Sequence, residues 1–129
     1  MKAGLFLAFW LMMATAAAES WRIVYQGGGT TVSFDAASLK WTGQVVMFRE
    51  RVAFQPAQID PASLRRISEV QYRKLADCSF RQMALLSRAV FSENSALVGY
   101  EAVHVNKARW QAPQTEQDVT TLIAVCGSA

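Results

Sequence analysis

The side chains able to do chemistry in this 129-residue chain are few: two cysteines, Cys78 and Cys126, one histidine, His104, and ten carboxylates. A pair of thiols can form a disulfide, ligate a metal or supply a nucleophile, and compartment and neighbours decide among the three. Neither cysteine has a second Cys or His at ligand spacing, and His104 has no sequence neighbour suited to hold or activate it. General acid–base chemistry needs a paired constellation in a cleft. The scattered carboxylates offer no such pattern, so no catalytic residue and no metal ligand is named, and the chain reads as a non-enzymatic binding protein. The strongest cationic pattern is Arg65-Arg66 followed by Arg73-Lys74, with Tyr72 beside the second pair. Guanidinium forks next to an aromatic surface suit carboxylate or sulfate groups on a protein partner. The competing reading is a solvated strand edge guarded by cations, with Glu69 and Asp77 diluting the positive field.

The compartment follows from the first residues. Residues 1–18 (MKAGLFLAFWLMMATAAA) place Lys2 before an apolar stretch and end in Ala16-Ala17-Ala18. This is the order of a secretory signal peptide cleaved before Glu19. The apolar stretch is short for a membrane span, and no cysteine lies at the junction to carry a lipid. The expected product is an exported domain, 19–129, with no stable membrane anchor after cleavage, in the periplasm or at the cell surface. An oxidising compartment weighs the thiol pair toward one Cys78–Cys126 disulfide. Although 52% of residues are apolar, the leader holds a disproportionate share of them, and the net charge of +3 is too small for a dedicated nucleic-acid binder.

The elements that must position these groups are mostly strands. Trp21, Ile23 and Tyr25 alternate with Arg22, Val24 and Gln26 before Gly27-Gly28-Gly29, and Thr31 to Phe34 resumes the alternation, which predicts a hairpin. Asp35 can cap a short helical turn through Leu39. Gln44 to Phe54 predicts a long strand with Val46, Phe48, Val52 and Phe54 on one face, interrupted by Glu50. Residues 55–66, with Pro56 and Pro61, predict the longest loop. Ser68 to Leu75, Cys78 to Phe91 and Leu97 to Val105 predict three more strands, the last two joined by a turn at Ser92 to Ser95. After Pro113 the period changes. Thr115 can serve as N-cap, Glu116 and Asp118 suit the first turn, and Gly127 ends the helix. Val119, Leu122, Ile123 and Cys126 share one helical face. The expected fold is α+β: an antiparallel sheet of about six strands with a C-terminal helix packed on one face and tethered by the disulfide.

Together these residues resemble the surface-adhesin protein E family of Gram-negative bacteria. The resemblance spans Trp21 to Gly127 and rests on Trp21, Phe34-Asp35 with Ser38-Leu39, Gln71-Tyr72-Arg73-Lys74-Leu75 leading to Cys78, and Val125-Cys126. It implies the same sheet, helix and disulfide. It also implies an adhesive role toward host extracellular-matrix or serum proteins, with Arg65, Arg66, Tyr72, Arg73 and Lys74 near the adhesive segment. A homodimer that holds haem is a further implication, and there Tyr100 and His104, on one face if both lie in a strand, are the candidate ligands. Apart from haem, no cofactor is expected. The alternative is a soluble periplasmic protein-interaction domain without host adhesion.

Overall fold

A computed structural model describes residues 18–129, so the signal-peptide reading of the leader lies almost wholly outside the described residues. Among the described residues, seven strands follow one another before a single α-helix: β1 (Trp21–Gly27), β2 (Thr30–Asp35), β3 (Lys40–Thr42), β4 (Val45–Ile59), β5 (Arg66–Asp77), β6 (Gln82–Ser92), β7 (Leu97–Ala102) and α1 (Glu116–Cys126). They form one antiparallel sheet in the order β1-β2-β4-β5-β6-β7, with the short β3 beside the start of β4. Single turns of 3-10 helix at Ala36–Ser38 and Val105–Lys107 complete the described residues.

Local chemistry explains the joints. Gly28 and Gly29 turn β1 into β2 with φ of 58° and 79°, a backbone that other residues enter at a cost. At Gly29 a Cβ would also sit 2.5 Å from the Gln55 carbonyl oxygen. The Asp77 carboxylate accepts the Ser79 and Phe80 N–H groups, at 3.0 and 3.1 Å, and so organises the turn before β6. Thr115 caps α1 by accepting the Asp118 N–H at 3.1 Å, and Gly127 ends it.

Several sequence expectations need correcting. The predicted loop at 55–66 is shortened to 60–65: β4 continues through Ile59, which pairs with Arg66 at the start of β5. A register shift between Ala53 and Gln58 admits Pro56, whose missing N–H needs no ladder partner at an irregular position. On β1 a second irregularity between Ile23 and Tyr25 changes the alternation, so Val24 packs on the core while Ile23 is 60% exposed. β6 starts at Gln82 because Cys78 to Arg81 form the turn, and β7 stops at Ala102.

The main core comprises Phe34, Val46, Phe48, Ala76, Met83, Leu122 and Val125. Its sheet residues share one face, and α1 closes it. The helix face predicted as Val119, Leu122, Ile123 and Cys126 is displaced by one residue. Thr121, Leu122 and Val125 are buried, whereas Val119 and Ile123 are 43% and 65% exposed. Two contacts near opposite ends of α1 hold this roll. The Cys78–Cys126 disulfide ties its last turn to the sheet, and Asp118 in its first turn faces Lys74.

Asp35 anchors the start of the fold. Its buried carboxylate accepts the Ser20 N–H at 2.8 Å and the Ala37 N–H at 3.0 Å, with Arg49 3.8 Å away. Asp35→Ala orphans both donors and is expected to cost about 2 kcal/mol. Urea titration at neutral pH checks this; a loss near zero would mean that water satisfies these groups equally well.

Candidate functional site

Because α1 covers only part of the sheet face, a half-open cleft of about 740 Å³ lies beside it. Strand alternation sends Glu50, Val52 and Phe54 of β4 and Tyr72 and Lys74 of β5 to its floor. The segment carrying Lys107, Arg109 and Gln111 and the first turn of α1 form its walls. The floor is therefore apolar with one charged cluster. Lys74 Nζ donates to Glu50 Oε1 at 2.6 Å, lies 3.6 Å from Asp118 Oδ1, and sits 4.7 Å from the centroid of the Tyr72 ring. Glu50 is 3% exposed. Burial by itself pushes the Lys74 pKa down, but the Glu50 carboxylate and its hydrogen bond, with Asp118 and Tyr72, outweigh burial and hold it above the ordinary lysine value.

The structure does not gather the five basic-stretch residues into one patch. Arg65 lies in the turn after β4 and Arg66 opens β5, both exposed, with Arg66 Nε 3.5 Å from Glu93. Tyr72 and Lys74 lie in the cleft floor, roughly 25 Å along the strand. Arg73 is exposed on the opposite face from Lys74, since adjacent strand residues alternate. Lys74 is thus an internal partner of Glu50 with a side chain only 14% exposed. Tyr100 and His104 are both exposed, but β7 ends between them, so strand alternation no longer sets them on one face.

A cluster that the sequence reading missed occupies the face opposite α1. Arg49 and Arg51 alternate with Phe48 and Glu50, and their guanidinium carbons lie 5.3 and 4.3 Å from the Trp21 ring centroid. Trp21 Nε1 donates to Glu19 Oε2 at 2.9 Å, Arg49 reaches Glu19 and Gln71, and Arg51 lies 3.4 Å from Glu69. The hydrogen bonds from Trp21 and Arg49 hold the Glu19 carboxyl below its ordinary pKa. The alternation of Arg49 and Arg51 was visible in sequence; the sheet register that carries Trp21 over them was not. Among the described residues, no group of three or more His, Cys, Asp or Glu side chains could hold a metal ion.

The model of the surface-adhesin protein E family matches residues 21–127. The chain belongs to this family. Two crystal structures of protein E from Haemophilus influenzae have the same fold as this adhesin-E domain. That of the non-typeable strain is 16% identical with a TM-score of 0.54, covering 88% of this chain and 79% of its own. A second crystal form is 14% identical with a TM-score of 0.53, covering 74% of this chain and 80% of its own. No curated protein sequence matches. Membership of an adhesin family points to binding of protein partners rather than catalysis. No helix among the described residues of the adhesin-E domain is long and apolar enough to cross a membrane.

Proposed function

We propose that this protein is an exported adhesin that binds host extracellular-matrix or serum proteins. The observation that carries this reading is the family match across residues 21–127. The sheet supports it physically: α1 leaves a cleft open on one face, and the other carries the Trp21 cluster, so two broad surfaces remain for a macromolecular partner. The purified domain is expected to bind immobilised matrix or serum proteins, and protease added to intact cells is expected to remove it. Retention on no such surface would sink the host-adhesin reading.

The second reading is a periplasmic interaction domain. One observation favours it: Cys78 and Cys126 are joined to each other, so neither is free to carry a lipid. Under this reading the protein resists external protease and is released by osmotic shock. Haem enters only through the family resemblance, since neither Tyr100 nor His104 lines the cleft. Haemin titration without a Soret shift would remove it, and sedimentation of the purified domain tests the homodimer.

A further inference from the structure

The roll of α1 leaves two of its apolar side chains without a partner. Leu122 and Val125 pack on the sheet, whereas Val119 and Ile123 stand 43% and 65% exposed. Both line a concave groove. This groove, of about 510 Å³, runs between α1 and the turn that joins β5 to β6, and its walls include Val119, Leu122, Ile123, Pro113 and the Cys78–Cys126 disulfide. From Val119 to Gly127 it follows the helix for about 12 Å. Its volume falls in the ordinary range for sites that enclose a small molecule, about 300–1,000 Å³.

One charged residue completes the lining. Arg81, in the turn between β5 and β6, is exposed and takes part in no ion pair among the described residues. It holds a left-handed backbone with φ of 53°, where Gly or Asn would be relaxed. The carboxylate closest to it in sequence, Asp77, is occupied in accepting the Ser79 and Phe80 N–H groups. Among the described residues, no Asp or Glu lines the groove. The larger cleft differs, because Glu50 and Asp118 stand there beside its cations. An apolar trough with one free guanidinium and no carboxylate is complementary to a ligand with a long apolar body and a single anionic end.

We propose that this groove binds a free fatty acid, its chain laid along Val119, Leu122 and Ile123 and its carboxylate held by Arg81. Removing the chain and the two exposed side chains from water supplies the affinity, and the charge-assisted hydrogen bond to Arg81 fixes the orientation. A second copy of the chain fits less well. An isologous interface joins the same patch on both subunits, and this lining carries a cation with no carboxylate to meet it. A bilayer also fits less well, because one arginine falls short of the cluster of cations that draws a protein to anionic lipid. The inference does not depend on the adhesin reading.

The test titrates the purified, oxidised protein with cis-parinaric acid, a fluorescent fatty acid, and then displaces the probe with palmitate or with methyl palmitate. Thermal unfolding of each variant is measured alongside. Palmitate is expected to displace the probe, and the neutral ester to compete about tenfold less well. Arg81→Gly removes the guanidinium and relaxes the backbone, so its Tm should hold or rise while affinity for the acid falls about tenfold. Ile123→Gln alters an exposed position with a good helix former, and affinity should fall comparably while Tm holds. Arg109→Glu, in the wall of the larger cleft, distinguishes the two cavities and should bind the probe as wild type does. Affinity unchanged in both Arg81→Gly and Ile123→Gln, or lost in Arg109→Glu instead, would overturn the groove as the site. An ester that binds as tightly as the acid would overturn the pairing with Arg81. No probe binding to the wild type would overturn the proposal and leave the adhesin reading standing. Co-sedimentation with phosphatidylglycerol vesicles without binding of free fatty acid would overturn it in favour of a membrane surface, and a dimer that Ile123→Gln dissociates, again without probe binding, in favour of a second copy.

Discussion

Replacing Cys78 and Cys126 together by serine is expected to lower the unfolding free energy by about 4 kcal/mol. The bridge spans 48 residues, a segment that includes β6, β7 and α1. Opening it restores to the unfolded chain the conformational freedom of that whole segment. A domain of this size has total stability on the order of 5–15 kcal/mol, so the loss is a large fraction of what holds it together. It should lower Tm by about 15 °C. Structure sharpens the reason. The bond holds the last turn of α1 against the core next to Val125, which is fully buried. Without the tether, Leu122 and Val125 must retain the helix largely through their own burial. Thermal unfolding with and without reductant measures the effect. A reduced protein that melts within a few degrees of the oxidised one would show that the helix packs independently of its tether.

Lys74→Met is expected to cost about 3–5 kcal/mol, because it leaves the Glu50 carboxylate buried without its cation. The two groups are 2.6 Å apart beneath the cleft, and Asp118 contributes a second carboxylate from α1. Glu50→Leu combined with Lys74→Met removes both charges and is expected to recover most of the loss, since an apolar pair of similar volume replaces a desolvated one. A double variant as unstable as the single would mean that packing of the lysine stem, rather than charge, sets the cost. The pair also predicts an alkaline limit. Folding raises the Lys74 pKa above its ordinary value of 10.5. Its contribution is therefore fully present below pH 10.5 and is lost as pH rises through the folded value. Urea midpoints measured from pH 9 upward should fall in the wild type through that window. In the double variant this part of the decline should be absent.

Features governed by neighbours along the chain were legible in the residues themselves. Thr115 and Gly127 bound the helix through the hydrogen-bonding needs of its ends, and Gly28-Gly29 mark a hairpin because few residues tolerate that backbone. The even cysteine pair pointed to the staple. Strand alternation places Glu50 on the same face as Val46 and Phe48, although nothing local names its partner. Periodicity was a weaker guide. Spacing indicates that some face of α1 is buried, but the set at 119, 122, 123 and 126 and the set one residue earlier have the same period. Lys74, which faces Asp118, and the core that buries Thr121 and Val125 select the second. On β1, one irregular residue exchanges the roles of Ile23 and Val24.

The sequence by itself determined the class of this protein: a small domain of alternating strands, one capped helix and one cysteine pair, in the pattern of the surface-adhesin protein E family. Tertiary structure alone decided which charges are available. Arg73 and Lys74 are adjacent in sequence, yet one faces solvent and the other a buried carboxylate, because alternation sends neighbours to opposite sides of a sheet. Trp21 and Arg51 are far apart in sequence, yet the strand order β1-β2-β4 brings them into contact. Local propensity and spacing act within a few residues. Register and helix roll are set by whole elements packing together, and those decide where a binding surface can form.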